Sequence, residues 1–467
     1  MGLANLLQEA AQARTKEEVA PENPFRELGF DQNLPRLGWA RSLDREAVKK
    51  AIKQAEGALA GKEQFIFVGM GGSANGVKAL AEGGGEGKLF VLDSLSSFVW
   101  KKLSRKIHNW HTVEVVAISK SGSTAETQYL ARSLKNIWGE KWTQHFLWLT
   151  DRSAFKKLQQ EGWGGAKMLP IQPEGREDIG GRFSSPQTLV FLLPLYILLG
   201  RSQTALEDFI LTYLETEKLQ ALALELAEKY RQNQPLFRVD LPQEYTRGFS
   251  LWITQLFNES FGSKKGWSVK TLIGAQSKFT DFSQVNLMPH KNRFLYLAQN
   301  MYFLEYFVAF YSYFQKINFV NQPFVEKYKQ AMSDMRDSLD LPPAVDLEGL
   351  KEAVAKKIQA SQRFIEIVLY FPPSESLKQK LKEILGQEFG DKEILIFEGS
   401  DWNHHSYQAA FSDRNTLYVF ALCAQKAEVP AEFIDVSRRN EELLKKISQA
   451  TFKTLVHKSI YLQLKEC

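Results

Sequence analysis

Several features that would assign a chain quickly are scarce here. Only two of the 467 residues are cysteine, Cys423 and Cys467. Neither their number nor their spacing suggests a disulfide framework, and a reducing compartment is expected. No charge of one sign dominates: 59 Lys and Arg stand against 54 Asp and Glu, a net +5. Over this length that is no nucleic-acid signature, although it suits a small anionic substrate. The longest apolar run, "LVFLLPLYILLG" (189–200), is too short to span a bilayer and holds Pro194, which points to a buried core helix. The opening "MGLANLLQEAAQARTKEE" reads as a short amphipathic helix without the basic and apolar regions of a secretory signal, and "MGLANL" lacks the hydroxyl of a myristoylation site. No period marks a solenoid, and no His/Cys/Asp cluster has metal-ligand spacing. A soluble, cytoplasmic protein without metal or nucleic-acid partner is expected.

What is present is ample core material, 44% hydrophobic and 24% charged, in a chain long enough for two or three domains. Continuous apolar runs at 64–69, 88–93, 113–119, 145–150 and 166–171 have the character of strands buried on both faces of a parallel sheet. Helical stretches such as "AETQYLARSLKNIW" separate them, the alternation of a doubly wound α/β domain. Helices at 186–199 and near 205–232 lead into a second unit with strands at 237–241 and 292–298, the helix containing "LWITQLFNESFG" and an aromatic helix at 302–317. A break at "SLDLPPAVDLEG" precedes a smaller α/β unit with strands at 364–371, 393–399 and 416–423. The expected architecture is a helical segment (1–44), two doubly wound parallel-sheet domains (45–200 and 201–338) and a C-terminal α/β unit (339–467).

Two polar loops fall at carboxyl ends of strands, where open parallel sheets bind ligands. "GMGGSANG" (69–76) offers glycines for close backbone approach, Gly72 among them, and Ser73 as a cap for the next helix. "SKSGSTAET" (119–127) places Ser119, Ser121, Ser123 and Thr124 around Gly122 where a helix begins. A turn with a cap needs one or two of those hydroxyls, whereas a dianion at a helix N-terminus would use most of them. Arg182, behind Gly180 and Gly181 in "IGGRFS", is either an ordinary ion-pair residue or a fork of donors for an oxyanion. Glu259, in the otherwise apolar "QLFNESFG", is either on a solvated helix face or a general base tuned by burial.

"GMGGS", "SKSGSTAET", "IGGRFS", "QLFNES" and "INFVNQPFVEKYK" (317–329) occur in the order and approximate spacing of the phosphoglucose isomerases, and from about residue 35 to 330 the chain resembles that family. The resemblance implies sugar-isomerase-type domains and reversible isomerisation of glucose 6-phosphate and fructose 6-phosphate through a cis-enediol, without metal or cofactor. It implies Ser73, Ser119, Ser121 and Thr124 as the phosphate cradle, with Lys120 contributing at least its backbone. Arg182 then stabilises the enediolate, Glu259 moves the proton between C1 and C2, Gln255 lines the site and Lys329 assists ring opening. Family members are commonly homodimers, so a homodimer is one expected assembly. A non-catalytic sugar-phosphate sensor on the same fold is the alternative, and activity extended to mannose 6-phosphate is a third reading, with Ser260 or Thr271 near C2.

One position departs from the family. A ring-opening histidine usually follows the base helix, in a segment like "TDQHSQ", and this chain has Phe282 there, in "KFTDFSQVNL". Phenylalanine transfers no proton. "HHSYQ" (404–408) resembles "LHSTGQ" in the isomerase half of fused transaldolase–phosphoglucose isomerase proteins, which puts His405 in register, with His404 as the alternative. The C-terminal unit is therefore expected to complete the active site.

Overall fold

A computed structural model describes residues 2–467 apart from 86, 214–215, 246, 264–266, 275–276 and 336–340. Its first sheet comprises β1 (Gln64–Val68), β2 (Leu89–Leu92), β3 (Val113–Ile118), β4 (Phe146–Thr150) and β5 (Lys167–Pro170). All pairings are parallel, in the order β2-β1-β3-β4-β5. Its central strands are buried along their whole length, as continuous apolar runs require. α1 (Gly72–Glu82) follows β1, and α2 (Ala125–Lys135) follows β3. The apolar run at 189–198 is helix α3 (Leu189–Leu198), buried on every face, with Pro194 inside it.

The second sheet is smaller: β6 (Leu236–Val239), β7 (Lys270–Ile273) and β8 (Ser283–Val285), parallel, in the order β8-β6-β7 among the described residues. Between β6 and β7 runs α4 (Gly248–Phe261), whose residues are buried apart from the half-buried Leu251. The segment 292–298, expected as a strand, is instead the start of α5 (Arg293–Gln315). The side chain of Asn292 accepts from the N–H groups of Phe294 and Leu295, a helix cap that outweighs the strand-like run behind it. α6 (Val325–Ser333) follows.

The C-terminal sheet is five-stranded: β9 (Ala344–Val345), β10 (Phe364–Leu369), β11 (Glu393–Glu398), β12 (Thr416–Cys423) and β13 (Ser459–Leu464), in the order β9-β13-β12-β10-β11. All its pairings are parallel. It equals the first sheet in strand number, and β13 was not legible as a strand. The five-residue helix α7 (Asp401–His405) follows β11. Cys423 and Cys467 form a disulfide, with Cα atoms 5.9 Å apart, which neither the number nor the spacing of the cysteines suggests. The cause is topological: β12 and β13 are neighbours, Cys423 lies opposite Leu464, and the three residues beyond return the chain terminus to it.

Docking of the C-terminal sheet is polar at its centre. Lys270 of β7 is 4% exposed and lies 2.6 Å from Glu366 of β10 and 3.2 Å from Asp413. Trp402 Nε1 donates to the other Glu366 oxygen, while Ser268, Thr416 and Tyr418 donate to Asp413. At the margin Arg363 grips Asp281 with two parallel bonds, at 2.8 and 2.6 Å. Phe282 beside it packs edge-on against Phe364 of β10, ring centres 6.3 Å apart. Among the described residues no helix is long and apolar enough to cross a membrane.

Candidate active site

The site is built where carboxyl ends of parallel strands converge. After β3 the chain enters the serine-rich loop with Gly122 at φ +63°, a conformation that favours glycine. Thr124 is the N-cap of α2, yet its side chain makes no capping bond. Its hydroxyl lies 3.0 Å from Ser119 Oγ, and Ser121 Oγ lies 2.7 Å from Ser123 Oγ. Ser119 Oγ also accepts the Thr124 N–H and Ser121 Oγ the Ser123 N–H, so bonds within the loop engage these hydroxyls although none caps the helix. Ser73, Lys120, Ser121 and Thr124 line one open cleft of about 700 Å³, with Ser119 buried behind it. Ser73 sits inside the first turn of α1, and Gly71 is the N-cap, so the expected capping role of Ser73 is not realised.

Arg36 also lines the cleft, and Lys120 Nζ donates to the carbonyls of Glu177 and Ile179. Burial and the neighbouring Arg36 charge bring the Lys120 ammonium down to about 8. Burial raises Asp151 on the same cleft to about 6.

Gly72 and Gly181 bring the first loop against the arginine turn. A Cβ on Gly72 would stand 2.1 Å from the Gly181 carbonyl oxygen, so this approach excludes any other residue. Ser184 Oγ donates to the Gly72 carbonyl across the contact.

Arg182 is 3% exposed and Glu259 6% exposed, so Glu259 is not on a solvated helix face, and Arg182 forms an ion pair with it. Arg182 Nη1 donates to Glu259 Oε2 at 3.1 Å, and its Nε donates to Ser260 Oγ at 3.0 Å. Gln255, one turn earlier on α4, donates to Glu259 Oε1 at 3.1 Å, and Gln322 donates to Oε2 at 2.7 Å. Asn75 of α1 in turn donates to Gln255 Oε1. Burial raises the Glu259 carboxyl above its ordinary value, against the pull of Arg182 and Gln255. The result is a buried carboxylate with a raised proton affinity beside one cation, an arrangement able to take and return a proton.

The two histidines of α7 face different surroundings. His404 Nε2 lies 2.8 Å from Glu126 Oε1, on the first turn of α2, and its carbonyl accepts from Gln255 Nε2. Burial lowers the His404 imidazole, but Glu126, then Asp401 and Glu259, outweigh it and hold the group above its ordinary value. Burial likewise raises Glu126, and His404 more than reverses this, leaving it below the usual carboxylate range. His405 is 1% exposed, and burial pushes it down to about 4. Its Nδ1 lies 2.6 Å from Ser406 Oγ, and its ring packs near Phe397. The sequence register favoured His405; the geometry brings His404 to the shared cluster instead.

Lys329 stands on α6, half exposed, paired with Glu326 at 2.7 Å. It reaches the cluster only through its field, which helps lower Glu126. Sequence reading missed Glu126, Gln322 and Asn75, although all three lie inside the quoted motifs or directly beside them. Glu126 had a signal, an acid in the first turn of a helix behind a ligand loop. Gln322 had none, because its partner Glu259 is 63 residues away.

No family model matches the chain. Over 252 residues it is 31% identical to the glucose-6-phosphate isomerase of Campylobacter jejuni, covering 50% of this chain and 59% of that one. Over 240 residues it is 30% identical to a glucose-6-phosphate isomerase of Thermus thermophilus, covering 48% and 56%. The chain thus spans less than two thirds of the length of these curated relatives. Among solved structures, a glucose-6-phosphate isomerase from Chlamydia trachomatis superposes with a TM-score of 0.50 at 16% identity, over 76% of this chain and 86% of that one. The chain is therefore a sequence relative of the glucose-6-phosphate isomerases over about half its length, and it has the parallel-sheet α/β fold of sugar-phosphate isomerases.

Proposed function

We propose that the protein interconverts glucose 6-phosphate and fructose 6-phosphate. The observation that carries this reading is the juxtaposition of Glu259 and Arg182, both buried, with the His404–Glu126 pair. Aldose–ketose isomerisation requires one group that removes a proton alpha to a carbonyl and returns it to the neighbouring carbon. It also requires a cation for the oxygens of the enediolate and a remote grip that positions the sugar. In this reading Glu259 is the base and Arg182 the cation. The serine-rich loop and Ser73 hold the phosphate, with the N-terminus of α2 adding backbone donors. His404, its proton affinity raised by Glu126, hands a proton to the ring oxygen as the anomeric C–O bond breaks, and the anomeric hydroxyl releases its proton to solvent as the carbonyl forms, from which His404 is reprotonated, while Lys329 and Lys120 supply positive field. His404 thus takes the role that register alone gave to His405. The product leaves as an isomer, so the atoms balance without a co-reactant.

The test is turnover of fructose 6-phosphate, read through a coupled glucose-6-phosphate dehydrogenase. Wild-type protein is expected to be active. Glu259→Gln, nearly isosteric, is expected to lose at least 100-fold in kcat, about the share a positioned acid–base group supplies, while still binding the sugar phosphate. An inactive wild type that binds saturably would favour the sensor instead, the reading that Phe282 supports.

A further inference from the structure

The C-terminal chain reaches the first sheet through a second contact besides the His404–Glu126 pair. Asp401 opens α7 and is 5% exposed. Its Oδ1 accepts the Gly71 N–H at 3.3 Å, and its Oδ2 pairs with Lys78 Nζ at 3.1 Å. Gly71 has φ +52° and ψ −124°, and a Cβ there would lie 2.8 Å from Gln255 Nε2 and 3.0 Å from His404 Cβ. The loop therefore fits closely under the helix that carries His404. Lys78, farther along α1, also pairs with Asp93 behind β2. Glu398, the last residue of β11, faces the same group; burial, then Asp93, raises it to about 7. The carboxyl ends of the first and C-terminal sheets thus meet across one lysine. A carboxylate placed there must recover its desolvation through its partners. The two oxygens of Asp401 engage different parts of the first unit, a loop N–H and a helix side chain, so a single group fixes α7 relative to both.

We propose that Asp401 is a positioning residue: by bridging the Gly71 N–H and Lys78, it sets α7 in register with the glycine loop and thereby places His404 over Glu126 and Gln255. The inference rests on the isomerase reading for its effect on turnover, and Asp401 itself touches no reacting atom in that reading. The carboxylates acting on His404 are Glu126 from α2, Asp401 from its own helix and Glu259 from α4. Lys78 and His405 act on Asp401, and Lys329 acts on Glu126. Removing the Asp401 charge therefore lowers the proton affinity of His404.

The experiment compares wild type, Asp401→Asn and Asp401→Glu by steady-state kinetics across pH and by NMR titration of the histidine ring, assigned with His404→Ala. Asp401→Asn keeps the shape and an acceptor for Gly71 but not the charge. It is expected to lower the His404 midpoint and kcat, the latter by about 10- to 100-fold, as a misplaced catalytic group does, with KM little changed. Asp401→Glu keeps the charge and displaces the oxygens, so kcat is expected to fall and the His404 midpoint to drop by less than in Asp401→Asn. Asp93→Asn leaves both bonds of Asp401 in place and is expected to retain wild-type kcat and titration. Two results would overturn the proposal: folded Asp401 variants with wild-type kcat, pH profile and His404 midpoint, or a loss in Asp93→Asn as large as in Asp401→Asn. An inactive wild type sinks the isomerase reading alone, because the His404 midpoints still decide whether Asp401 governs that ring.

Discussion

His404 and His405 are chemically identical and adjacent, yet one is held above its ordinary proton affinity and the other is pushed down to about 4. The difference comes from their neighbours. His404 meets a carboxylate on another helix, whereas the buried His405 meets a hydroxyl and an aromatic ring. His404→Ala is accordingly expected to abolish isomerisation of the cyclic sugar. His405→Ala is expected to act mainly through stability, with kcat within a few-fold of wild type where the protein is folded. Equal kcat losses in both folded variants would count against this division.

The same pair sets a pH window. His404 is raised, so its share of stability is full below the ordinary imidazole value of 6.5 and is lost as pH rises through its folded value. Glu126 is lowered, so its share is full above the ordinary carboxylate value of 4.5 and is lost as pH falls through its folded value. The pair is thus at full strength between those two values. Glu126→Gln is expected to lower the unfolding midpoint most within that window, and to drop the His404 midpoint. A uniform offset in stability from pH 4 to pH 9 would contradict it.

At the scale of elements, the decisive contacts join segments far apart in sequence. Lys270 on β7, Glu366 on β10 and Asp413 ahead of β12 form a buried ionic group in which one ammonium meets two carboxylates. Such a group adds little stability over an apolar packing, but removing one member leaves uncompensated charge. Lys270→Met is expected to lower unfolding stability by about 3–5 kcal/mol in denaturant titration. A change below 1 kcal/mol would show that water or rearrangement relieves the two carboxylates. The same docking explains Phe282. The segment that carries a histidine in the resembled family lies here against β10, with Asp281 locked to Arg363 and Phe282 on Phe364. A position used for packing is no longer free for proton transfer.

At the scale of the whole molecule, the site draws on the three parallel sheets found among the described residues: Glu126 behind the first, Glu259 on the helix of the second, and His404 behind a strand of the third. Co-expressing Glu259→Gln with His404→Ala is therefore expected to yield no activity, because neither chain carries both groups. Recovery of turnover in mixed assemblies would mean that His404 serves a neighbouring chain.

The sequence by itself determined the parallel α/β class, since runs buried on both faces must be apolar throughout. It also determined the ligand loops, because glycines and hydroxyls at strand ends are local signals. It showed the candidate base and cation, each within a short quoted motif. It misjudged 292–298, where a run of strand length hid a capped helix, and it did not reveal β13 or the Cys423–Cys467 bond. Only the tertiary structure set His404 beside Glu126 and His405 beside Ser406, joined Gln322 to Glu259, and brought Asp401 to Gly71 across 330 residues. Proton affinity and reach depend on what stands within a few ångströms. Neighbours on separate elements are set by packing, and the spacing of residues along one chain carries no record of it.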